Sequence, residues 1–168
     1  MNDLTIRIVK LEPLRVATAL GFGPSPEPLA WEKIIGFLKT QDWLGDLESH
    51  RFFGFNNPNP SPGSPNYGYE QWVTVGPEVE AGDDIKIIDF PGGTYAVARC
   101  EGLADIGKIW KQLVTWHEDS PYEKPPNFYK CLEEVLNPGV FITPEGDFIE
   151  TEAAYNGVIF DLYLPVAE

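Results

Sequence analysis

The chain repeats its own pattern at a fixed offset, and this repeat restricts its fold more than any other feature. Adding 79 to a position in the first half carries Ile6 onto Ile85, Ile8 onto Ile87, Val9 onto Ile88, Leu11 onto Phe90 and Ala17 onto Ala96. The same step carries Trp31 onto Trp110, Ile34 onto Leu113, Ile35 onto Val114 and Phe37 onto Trp116. Further along the offset grows to 91, which lays Tyr69-Glu70-Gln71-Trp72-Val73 on Phe160-Asp161-Leu162-Tyr163-Leu164. Twelve extra residues therefore lie between the second helix and the last strand.

Within each copy the periodicity is strand, strand, helix, strand, strand. Alternation marks Ile6 to Lys10, and Val16 to Leu20 follows the break at Pro13. Ser25 and Pro26 open a helix on which Trp31, Ile34, Ile35 and Leu38 share a face. Arg51–Phe55 and Tyr67–Val75 read as strands around a Pro- and Asn-rich loop. In the second copy the strands are Ile85–Ile88, Thr94–Cys100 and Gly157–Val166, and Ile106, Ile109, Trp110, Leu113, Val114 and His117 mark the helix face. Residues 118–156 break the symmetry, with a short helix expected around Phe128 to Leu136. One unit buries only one face of its sheet. The expected fold is therefore a single α+β domain over residues 1–168, with pseudo-repeat halves at about 4–76 and 84–166. These form a pseudo-two-fold antiparallel sheet with two main helices and a central ligand cleft.

Charge narrows the partners. Twelve Lys and Arg stand against 26 Asp and Glu, a net charge of -14 that repels phosphate and argues against direct nucleic-acid binding. Cationic small molecules or basic protein patches suit such a field. The first residues hold no basic start followed by an apolar run, and no stretch of roughly 18 apolar residues occurs, so a cytoplasmic protein without a membrane partner is expected. Cys100 and Cys131 are too few for a disulfide framework and read as reduced, packed thiols. His50 and His117 lack neighbouring carboxylate or cysteine clusters, which leaves little material for a metal site or a catalytic triad. Gly21-Phe22-Gly23 reads as a tight turn, and with no phosphate-cradling motif present no cofactor is implied.

The candidate binding residues are acids and rings. Glu70 shares a strand face with Trp72, and Asp161 shares one with Tyr163, at repeat-related positions. A carboxylate beside an aromatic ring suits a flat organic cation, although an acid on an alternating strand can equally point to solvent. Trp31 and Trp110 fall on helix faces that pack on the sheet, and a groove between the helices would be lined by them. Tyr95, Phe53 and Phe55 are secondary candidates for the same lining.

Several segments together resemble the GyrI-like effector-binding domain, the ligand-binding module of many AraC-type and MerR-type transcription regulators. They are the duplicated unit, Leu11-Glu12-Pro13-Leu14-Arg15-Val16-Ala17, Ala30-Trp31-Glu32, the Pro91–Val97 strand and the closing Asp161-Leu162-Tyr163-Leu164-Pro165-Val166. The resemblance runs from about Leu4 to Val166 and implies two pseudo-symmetric halves around a cleft for hydrophobic, often cationic, molecules. It also implies an acid on the last strand that meets the ligand's charge. Asp161 stands at that position, and its short side chain leaves the role open between Asp161 and Glu70. The repeat uses the whole chain, so a stand-alone version without its own DNA-binding segment is expected. Three functions fit: a binding module for hydrophobic or cationic ligands, a hydrolase of reactive small molecules using a cleft carboxylate and a tyrosine, and a protein-interaction inhibitor resembling the gyrase inhibitor.

Overall fold

A computed structural model describes residues 4–126 and 130–168. In its first copy, β1 (Ile6–Leu11) and β2 (Leu14–Gly23) precede α1 (Pro26–Gln41), which is followed by β3 (Phe52–Asn56) and β4 (Tyr67–Thr74). The second copy is β5 (Lys86–Phe90), β6 (Gly93–Glu101), α2 (Ile106–Glu118), β7 (Leu132–Val135) and β8 (Ile159–Pro165), with α3 (Glu152–Gly157) inserted before β8. The protein is mixed α+β, as the repeat predicts.

All eight strands join one antiparallel, curled sheet in the order β1-β6-β8-β7-β3-β4-β2-β5. The order reads the same from both ends once each strand is exchanged for its counterpart. The registers obey the repeat as well. Leu14 faces Phe90, and the counterparts Gly93 and Leu11 face each other. Phe53 faces Trp72, and Leu132 faces Tyr163. Among the described residues, the first strand of each copy pairs only with the other copy: β1 lies against β6, and β5 against β2.

Period-2 alternation sends side chains into two separate cores. On the helix side, Ala17, Ala19, Phe52, Val73, Ala96, Ala98, Leu162 and Leu164 pack against α1 and α2. On the opposite side, Val16, Phe53, Phe55, Trp72, Phe90, Tyr95, Val97, Leu132 and Tyr163 form a second apolar cluster. α1 buries Ala30, Trp31, Ile34, Ile35, Phe37 and Leu38, and Asp42 ends it in the left-handed conformation (φ 60°), where its N–H donates to the last turn. α2 is shallower and buries only Leu113 and His117 fully. Val114, assigned by its spacing to the buried stripe, lies at the margin of that stripe and is exposed.

The short helix expected around Phe128 to Leu136 is corrected. Phe128 lies outside the described residues, and Leu132–Val135 is strand. Leu132, Val135 and Leu136 do match a helical spacing, but β7 sits between β3 and β8, and the pairing with both neighbours decides the outcome. The closing strand also starts later than Gly157, because Thr151 caps α3 by accepting from the Ala154 N–H at 3.1 Å. Among the described residues, no helix is long and apolar enough to cross a membrane.

Candidate functional site

The start of α1, the ends of β3 and β4 nearest the 57–66 loop, β7, and the segment leading to β8 enclose a cavity of about 430 Å³ on the helix side of the sheet. Its walls are aromatic. Trp31 stacks with Phe148 at 6.0 Å and 18° and with Phe52 at 5.9 Å and 19°, and Phe141 lies 5.5 Å from it. Tyr67, Tyr69, Tyr155 and Phe160 complete the rings. Among the described residues, the ionisable acids in the lining are Glu27, Glu133 and Glu150, and no Lys, Arg or His lines the space.

Glu133 forms the deep point of this cavity, at the centre of the sheet. It is directly opposite Gly54 on β3. Gly54 matters because a Cβ there would stand 2.1 Å from the Tyr69 hydroxyl. Without that atom, the Tyr69 ring lies across β3 and donates to Glu133 Oε1 at 2.9 Å. Trp110 Nε1 reaches in from α2 and donates to Oε2 at 3.2 Å. Glu133 keeps some surface open to the cavity but lies deep in the protein, and burial pushes its carboxyl above the usual glutamate value. The two donors act in the opposite sense, and the Glu27 charge adds to the rise. Burial, then the Glu133 charge, holds the Tyr69 phenol well above its ordinary value, so Tyr69 remains a donor.

The mouth has its own carboxylates. Tyr67 donates to Glu27 Oε2 at 2.7 Å, and burial followed by that contact raises its phenol to about 12. Tyr155 is raised by burial and by the charges of Glu150 and Glu27. Among the described residues, no group of three or more His, Cys, Asp or Glu is arranged to hold a metal ion.

The residues singled out by sequence divide between the two faces. Trp31 lines the cavity, and Trp110 touches its deepest acid. Glu70, Trp72, Asp161, Tyr163, Tyr95, Phe53 and Phe55 do come together, but on the opposite face. There Trp72 Nε1 donates to Glu70 Oε2 at 2.6 Å, and Asn57 donates to Oε1 at 3.1 Å. Asp161, 5% exposed, is held between Arg7 at 3.0 Å and Arg99 at 2.8 Å. Tyr163 donates to Glu134 at 2.7 Å, and Arg51 binds both Glu134 oxygens at 2.8 and 2.9 Å. Tyr95 meets Tyr163 edge-on at 5.6 Å, and Phe53 and Phe55 pack on Trp72.

Sequence reading did not single out Glu133, Tyr69 or Tyr67. A signal was present: the 79-residue step carries Phe53-Gly54-Phe55 onto Leu132-Glu133-Glu134, which makes 132–135 a strand with acids facing both sides.

The family model of Cass2, described as integron-associated effector-binding protein, matches residues 7–166. No curated protein matches the chain significantly by sequence. Among solved structures, the C-terminal domain of EcmrR is similar at a TM-score of 0.66 and 13% identity, with 98% of each chain covered. EcmrR in its complex with DNA is similar at a TM-score of 0.67 and 12% identity, and the match covers 98% of this chain but 58% of that one. A hydrolase from Listeria innocua is similar at a TM-score of 0.64 and 10% identity, covering 96% of this chain and 91% of its own. At these identities the structural likeness speaks to the fold.

Proposed function

The chain belongs to the Cass2 family of integron-associated effector-binding proteins, and from that premise we propose that its cavity binds a flat, hydrophobic organic cation whose charge meets Glu133. One observation carries this reading: a carboxylate sits deep in an aromatic cavity where, among the described residues, it meets neutral donors and no cation lines the space. Removing a carboxylate from water is costly, and a cation in the cavity offsets that cost by direct attraction. The faces of Trp31, Phe148 and the tyrosines add a favourable quadrupole for the same charge. The chain's net charge of -14 draws cations toward the mouth. On this reading Glu70 and Asp161, both on the opposite face, are structural partners of Trp72, Arg7 and Arg99.

Phenyltrimethylammonium and its neutral isostere tert-butylbenzene test the charge requirement, read by quenching of tryptophan emission. The cation is expected to bind more tightly as pH rises through the raised Glu133 value, because only the ionised carboxylate attracts it. Glu133→Gln should weaken the cation at least about tenfold, leave the neutral compound unchanged and remove the pH dependence. Glu70→Gln should change nothing. Equal affinity for the two compounds in the wild type overturns the reading.

The Tyr69–Glu133 contact supports a second reading, hydrolysis of a reactive small molecule. Glu133, its carboxyl raised by burial, would take a proton from attacking water while Tyr69 gives one to the leaving group. Product formed from an activated cyclopropane, and lost in Glu133→Gln, would favour this over simple binding.

A further inference from the structure

We propose that the cavity is built for a dication: a rigid aromatic ligand carrying two positive charges, one seated at Glu133 and the other at the mouth between Glu27 and Glu150. This deepens the cation-binding reading and rests on it. Tyr67 and Tyr69 are two residues apart, so both rings point to the same side of the sheet and both line the cavity. Each holds a different carboxylate: Tyr69 donates to Glu133 at the deep end, and Tyr67 donates to Glu27 at the outer end. The two carboxylates are thus held by rings that leave β4 one strand repeat, roughly 7 Å, apart. A ligand with one charge at each end can engage both at once.

The outer position is a pair. Glu27 stands in the first turn of α1, where the helix end favours negative charge, and Glu150 approaches from the segment before β8. Both charges act on the same phenol, that of Tyr155. Among the described residues neither end has a basic side chain in the lining, so both suit a charge from outside the chain. The lining also holds Trp31 and Phe148, stacked on one another, and such rigid rings suit a planar linker rather than a flexible one.

Calorimetric titration of 1,1'-dimethyl-4,4'-bipyridinium against 1-methyl-4-phenylpyridinium separates the outcomes, because the two share a two-ring skeleton and differ by one charge. The dication is expected to bind the wild type about tenfold more tightly or better. Glu27→Gln combined with Glu150→Gln should erase that advantage and leave the monocation within about twofold. Asp83→Asn combined with Asp84→Asn removes the same charge away from the cavity and should preserve the advantage, which excludes a general effect of net charge. Equal binding of the two ligands by the wild type, or an equal loss in the two double variants, overturns the dication assignment alone. Failure of both cations to bind overturns it together with the cation-binding reading.

Discussion

At the level of single residues, the site depends on an atom that is missing. Gly54 has no Cβ, and the space left is occupied by the Tyr69 hydroxyl on its way to Glu133. Gly54→Ala should force the ring aside, lowering stability by about 1–3 kcal/mol. It should also remove a hydrogen bond that holds the Glu133 value down, so the pH midpoint of cation binding should move upward. Tyr69→Phe makes the same shift without the steric conflict, so a matching midpoint in the two variants checks the cause. The stability linkage has a defined sign. Glu133 has a raised value in the folded state, so its contribution is fully present below the unfolded value and is lost as pH rises through the folded one. At this scale the sequence was least legible. Acid beside ring on one strand face pointed to Glu70 and Asp161, and those residues do sit beside rings. Yet period 2 does not say which face of a two-sided sheet meets the helices, and here both faces are apolar.

At the level of elements, the alternation of β1 to β4, the α1 stripe and the offset to the second copy were readable because each records burial on a fixed period. The segment between β7 and β8 was not, since it has no counterpart in the first copy and its turns carry no period. It nevertheless builds one wall of the cavity with Phe141, Phe148, Glu150 and Tyr155. Replacing residues 137–157 by a short Gly-Ser loop should leave the strand signal in circular dichroism intact while removing ligand binding. It should also uncover Trp31 and shift its emission to longer wavelength. The loss of buried Phe141, Ile142 and Ala154 should lower the melting temperature, with each large apolar side chain contributing about 1.5–3 kcal/mol. An unchanged emission maximum would show that Trp31 is sheltered by other residues.

For the whole molecule, the exchange of first strands ties the copies together more closely than a shared interface does. Among the described residues, β1 has its ladder partner only in β6, and β5 only in β2. A fragment ending near residue 80 should therefore remain unfolded alone, as should the fragment that begins there. An equimolar mixture should recover the sheet, read by circular dichroism, because each fragment supplies the edge strand that the other lacks. Independent folding of either half would contradict this. Joining two related copies in one chain has a further chemical result at the centre of the sheet, where Gly54 faces Glu133. On the axis of a true homodimer a residue meets its own copy, so an acid would oppose an acid and repel it, while a glycine would oppose a glycine and offer no charge. Covalent duplication lifts that identity constraint, and a lone carboxylate can occupy the axis itself.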